Sequence, residues 1–232
     1  SRRLRLGVKR VNLDGEWYIL LPIEADTNPF AVPRPARGYQ SRRERPMKYE
    51  VEQKFPVEDF DAVESKLSAA GAIVSAPQEE VDTYYAHPSR DFGETDEALR
   101  IRRVESGSWI TYKGPKVDTT TKTRREIELP LAGEPELVGE WPNLLEALGF
   151  LPVGKVRKLR RKATVAWQGR EILATLDDVE DVGTFVELEL VADESDLQSA
   201  RDCIASLAEA LGLRESERRS YLELLFERQA RE

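Results

Sequence analysis

Residues 48 to 55 read KYEVEQKF, and the spacing of their charges decides the fold. Glu50, Glu52 and Lys54 occupy every second position, with Val51, Gln53 and Phe55 between them. Successive side chains of a strand point to opposite faces, so the three charges share one face. One such strand is ordinary, because a half-buried strand keeps one face in water and the other in a core. The same device recurs downstream, however. Arg100 and Arg102 alternate with Leu99 and Ile101 in 97–104, and Lys113 stands near the end of a strand over 108–113. Arg124, Glu126 and Glu128 oppose Ile127 and Leu129 in 124–129. Lys158 and Arg160 share a face in 155–165, and Asp177 is in phase with Leu173 and Thr175 in 171–179. Glu187 and Glu189 oppose Val186, Leu188 and Leu190 in 184–190.

An open sheet could hold two or three such faces in solvent as cross-strand ion pairs, each worth little there. It accommodates six or seven poorly when the opposite faces are apolar. The pattern predicts an α+β protein: a closed, eight-stranded antiparallel barrel with a charged lumen and helices packed outside. Helices are predicted over 57–70, over 134–148 and over 195–211, with Ser195 as N-cap and Gly212 as stop. A last helix is predicted over 215–228.

A lumen lined by both signs is costly unless it is wet and holds a ligand that uses both. The basic set is Lys54, Arg100, Arg102, Lys113, Arg124, Lys158 and Arg160; the acidic set is Glu50, Glu52, Glu126, Glu128, Asp177, Glu187 and Glu189. Cations neutralise a polyphosphate directly. Carboxylates do so only through a hard divalent cation such as Mg²⁺ or Mn²⁺. A metal–polyphosphate site is therefore predicted inside the barrel. No glycine-rich phosphate loop is present. His87, the only histidine, and Cys203, the only cysteine, rule out an intrachain disulfide and a Cys/His zinc site. His87 is expected to be structural and Cys203 to be core packing.

The 232 residues carry 35 Lys/Arg and 43 Asp/Glu, a net charge of -8, unevenly spread. Residues 1 to 46 are basic and proline-rich and are read as an N-terminal extension, with a short strand or hairpin over 12–23 and a linker over 30–46. The working domain is expected to begin at Met47 and to span 47–228. It is acidic, which argues against a broad nucleic-acid face. No apolar run reaches the ~20 residues of a membrane span and no secretory segment is visible, so a cytoplasmic location is expected.

The ordered motifs resemble the CYTH superfamily, the triphosphate tunnel metalloenzymes, and most closely its class IV adenylyl cyclases. The motifs are EVEQK at 50–54, LRIRR at 99–103, TYKGP at 111–115, REIE at 125–128, KLRR at 158–161, LDDVEDVG at 176–183 and FVELE at 185–189. RRSYLELL at 218–225 is similar to the tail of cyclase-like members. The resemblance implies a tunnel that binds a triphosphate, ATP or tripolyphosphate, with two divalent cations. Glu50, Glu52, Glu128 and Glu189 would hold metal, with Glu126 and Glu187 as further candidates. Lys54, Arg100, Arg102, Lys113, Lys158 and Arg160 would hold phosphates, and Asp177 would support the metal or orient the nucleophile. The implied activity is conversion of ATP to cyclic AMP and pyrophosphate. Hydrolysis of tripolyphosphate, thiamine triphosphate or a nucleotide is one alternative, and non-catalytic polyphosphate binding is another. The resemblance also makes a homodimer a common state.

Overall fold

A computed structural model describes residues 9–13, 16–20, 48–116, 121–133 and 135–231. The chain divides into two compact units, Ser1–Glu44 and Arg45–Glu232. In the first unit, β1 (Lys9–Leu13) and β2 (Glu16–Leu20) form an antiparallel hairpin in which Lys9 pairs with Leu20 and Leu13 with Glu16. The hairpin starts earlier than the predicted 12–23, and the linker predicted over 30–46 lies outside the described residues.

The second unit contains eight strands: β3 (Lys48–Pro56), β4 (Gln78–Ala86), β5 (Ala98–Val104), β6 (Gly107–Lys116), β7 (Arg124–Pro130), β8 (Leu151–Trp167), β9 (Arg170–Val179) and β10 (Gly183–Asp193). They close into a barrel in the order β10-β3-β7-β6-β5-β4-β8-β9, with every pair antiparallel. The predicted alternation therefore becomes a lumen and an outer wall.

The outer wall is covered in two places. Helices α1 (Asp61–Ala69) and α4 (Leu197–Leu211) bury Val63, Leu67, Ile204 and Leu207 against Val51, Ile172, Leu176, Val186 and Leu188. Cys203 is 3 % exposed in this cluster, as packing requires. Helix α3 (Pro135–Ala147) packs Leu145 against Leu99, Ile101 and Tyr85. The outer face of β7 is not so covered: Leu129 is 57 % exposed.

Along β4, β8, β9 and β10 the lumen-facing positions change character at one end. Two residues beyond Asp82, Lys158, Asp177 and Glu187 stand Tyr84, Val156, Val179 and Phe185. These bury with Tyr221 and Leu225 of α5 (Tyr221–Gln229), so the last helix stoppers this part of the barrel with apolar contacts. The helix begins six residues later than predicted, where Ser220 accepts a hydrogen bond from the Glu223 N–H and the Glu223 side chain caps the Ser220 N–H. Helix α1 also starts late, at Asp61 rather than residue 57. Ser195 is not an N-cap: it lies inside a 3₁₀ turn, Glu194–Asp196, and Asp196 is the cap position of α4. Gly212 stops α4 as predicted, in the left-handed region at φ 76. A short helix α2 (Phe92–Thr95) interrupts the segment expected to be a loop over 87–96, with Asp91 capping it.

Candidate active site

The charged part of the lumen encloses a cavity of about 780 Å³. Its walls are built from ion pairs, some between neighbouring strands and some reaching past a neighbour. Arg102 donates from Nε and Nη2 to both oxygens of Asp82, at 2.7 and 2.8 Å, and Arg100 reaches the same carboxylate at 3.2 Å. Arg160 donates to both oxygens of Asp177, at 2.6 and 2.5 Å, and to Glu187 at 2.6 Å. Glu80 lies within 3.1 Å of Arg102, 3.2 Å of Lys162, 3.5 Å of Lys158 and 3.8 Å of Arg160. On the opposite wall the Lys113 ammonium stands 2.9 Å from Glu50, 2.6 Å from Glu126 and 4.0 Å from Glu52. Lys122 holds the other oxygen of Glu52 at 2.6 Å. At the stoppered end, Lys54 donates to the Arg219 carbonyl at 2.5 Å, with its ammonium 4.0 Å above the Tyr221 ring.

Burial and crowding tune these groups. Burial, with Lys122 beside it, pushes the Lys54 ammonium down to about 7. Burial and the Arg160 guanidinium lower Lys158 to about 8. Burial and the nearby Glu50 charge raise Glu189 to about 8. Burial would also raise Glu50, but the Lys113 ammonium outweighs it and holds that carboxyl at about 2.

One cation has nothing to neutralise. Arg124 is 7 % exposed and lines the cavity, its Nε donates to no partner among the described residues, and it forms no ion pair among them. A buried guanidinium without a carboxylate is costly to fold around, so its position favours an anion in the lumen.

Of the residues predicted for the site, Lys54, Arg100, Arg102, Lys113, Arg124, Lys158 and Arg160 line the cavity. So do Glu50, Glu52, Glu126, Glu128, Glu187 and Glu189. Glu128 is exposed and accepts from Thr111 at 3.0 Å. Asp177 is absent from the lining: it is fully buried behind Arg160, and it accepts a 2.8 Å hydrogen bond from the Tyr221 hydroxyl. Sequence reasoning passed over Glu80, Asp82, Lys122, Lys162 and Tyr221. For Glu80 and Asp82 the signal was available, because they stand two apart in the EVDTYYA run just as Glu50 and Glu52 do in KYEVEQKF.

The oxygen-only donor set of Glu50, Glu52, Glu126, Glu187 and Glu189 fits a hard divalent cation. A cation already stands between Glu50 and Glu126, namely the Lys113 ammonium. Among the described residues no three carboxylates converge on a ready-made metal position. The donor chemistry of these residues fits such an ion, and the Lys113 ammonium stands among them.

The rim of the cavity is different in kind. His87, Phe92, Val153, Leu222 and Phe226 line it. The His87 ring packs against Phe92 and Phe150, and its Nδ1 accepts from the Ser89 and Arg90 N–H groups, each at 3.1 Å. That is a structural use of the one histidine.

A family model described as the CYTH domain matches residues 48–221. A Methanocaldococcus jannaschii protein named "Putative adenylate cyclase" is 35% identical over 178 residues, which cover 75% of this chain and 97% of that protein. A solved structure from Pyrococcus horikoshii is 40% identical with a TM-score of 0.67, covering 77% of this chain and 98% of its own. A Hippeastrum protein whose description reads "dominant triphosphatase activity" shares the fold alone, at 16% identity and a TM-score of 0.53, over 78% of this chain and 96% of its own. On this match, and on a barrel whose lumen carries the charges of the matched strands, the chain belongs to the CYTH domain family.

Proposed function

We propose that residues 47–228 form a divalent-cation-dependent enzyme that acts on a triphosphate in the lumen and converts ATP to cyclic AMP and pyrophosphate. The observation that carries the anionic substrate is Arg124, buried in the cavity wall without a counter-charge among the described residues. The rim supports a nucleotide over bare tripolyphosphate. Its rings and aliphatic side chains offer a surface for base and ribose, and about 780 Å³ lies within the range of small-molecule sites, about 300–1,000 Å³. The relative from Methanocaldococcus jannaschii points to the same activity through its name.

Each residue then has a task. Arg124, Arg100 and Arg102 bind phosphate oxygens, and Asp82 keeps the last two aimed into the lumen. Arg160 stabilises charge that builds on the departing pyrophosphate, and Asp177 positions Arg160 rather than touching the substrate. Lys54, Lys113 and Lys158 complete the neutralisation. Glu50, Glu52, Glu126, Glu128, Glu187 and Glu189 would hold Mg²⁺ or Mn²⁺. When bound, the ion would lower the pKa of the ribose 3′-hydroxyl and would offset the negative charge on the phosphate oxygens around the attacked phosphorus.

Purified protein with Mg²⁺ or Mn²⁺ and ATP or tripolyphosphate tests this. Cyclic AMP with pyrophosphate is expected. Orthophosphate instead would make the protein a triphosphatase, and tight binding without turnover would make it a polyphosphate binder.

A further inference from the structure

Lys113 and Lys122 are ammonium groups tethered into the carboxylate wall. Lys113 contacts Glu50 and Glu126 at 2.9 and 2.6 Å, and Lys122 contacts Glu52 at 2.6 Å. Both lysines are nearly enclosed, with side chains 15 % and 5 % exposed. Bulk water and salt therefore screen these pairs only weakly. A divalent cation entering alone must displace an ammonium that has nowhere else to go. A triphosphate entering with the cation supplies the displaced ammonium with a new partner in the same lumen.

We propose that Lys113 is a resident counter-ion that occupies the metal position and is exchanged for the divalent cation only when the triphosphate arrives. The lumen thereby couples metal and substrate: metal alone binds weakly, and each ligand strengthens the other by the same factor. This rests on the proposed function, in which the lumen glutamates hold metal. Lys122 plays the same part at Glu52.

The test is Mn²⁺ binding to the protein without nucleotide, by calorimetry or electron paramagnetic resonance. Lys113→Met is expected to bind Mn²⁺ about tenfold more tightly than wild type, or better. Lys158→Met removes an equal charge whose partners are Glu80 and Asp177, and it is expected to stay within about threefold of wild type. Should Lys113→Met fail to fold, Lys113→Gln keeps a donor for the glutamates and serves in its place. No tightening in the Lys113 variant, or equal tightening in both, overturns the exchange. A separate titration of wild type with a non-hydrolysable ATP analogue in the presence of Mn²⁺ probes the functional reading. Failure there would sink the triphosphate assignment while leaving the Mn²⁺ comparison to decide the role of Lys113.

Discussion

Asp82 and Arg124 are buried charges with opposite prospects. Asp82 anchors two guanidinium groups, and burial, which would raise its carboxyl, is outweighed by Arg100 and Arg102, which hold it far below the usual range. Breaking one side of a buried pair costs about 3–5 kcal/mol, because the partner is left uncompensated. Asp82→Asn is therefore expected to lower the unfolding free energy by several kcal/mol in urea titrations. Tripolyphosphate should recover part of that loss, since the freed arginines gain an anion. Arg124 has no ion-pair partner to abandon among the described residues. Arg124→Met is expected to leave stability unchanged or raised, while KM for the triphosphate rises about tenfold to a hundredfold, the weight of one charge-assisted contact. A loss of stability with unchanged KM would instead make Arg124 a structural residue.

At the scale of elements, α5 packs closely on β8. Gly154 lies under the helix: an added Cβ would stand 2.5 Å from Leu222 Cδ1 and 3.0 Å from Phe226. Gly154→Ala is expected to push α5 outward at a cost of about 1–3 kcal/mol. Amide exchange should accelerate in α5 and stay unchanged in α4, and uniform acceleration would refute a local effect. Ser220→Ala, which removes the cap, should cost about 1 kcal/mol in the same element. The start of this helix was hard to read in advance because the ESERRS run is hydrophilic throughout. The capping box at Ser220 and Glu223 competes with the helix-compatible residues before it, while the Glu217 N–H donates to the Lys54 carbonyl and the Arg219 carbonyl accepts from the Lys54 ammonium. The strands were legible because lumen and wall alternate with period two. Lys122 was not, since it sits on a non-strand segment where no period marks the inward face. Tyr84, Val156, Val179 and Phe185 are in phase with the lumen charges, and their apolar character is explained only by α5 closing on them.

Across the whole barrel, β4, β5 and β8 are joined through Glu80. Neither of its oxygens accepts a hydrogen bond, yet four cations surround it within 3.1–3.8 Å. It is thus held by field rather than by one geometry, and it relays charge between arginines that the substrate would also engage. Burial raises its carboxyl, but Arg160, Arg102, Lys158 and Lys162 together bring it down to about 2 from an ordinary value of 4.5. A carboxyl depressed on folding stabilises the protein fully above its unfolded value and loses that contribution as pH falls through the folded one. The Glu80 contribution is therefore complete above pH 4.5 and disappears toward pH 2. Glu80→Gln should be clearly less stable than wild type at pH 7, and the gap in urea midpoint should close as pH approaches 2. Bound tripolyphosphate at pH 7 should narrow the same gap, because it satisfies the cations that the missing carboxylate leaves behind. A gap that persists at pH 2 would mean that Glu80 stabilises by packing and that the lumen is not held together by charge.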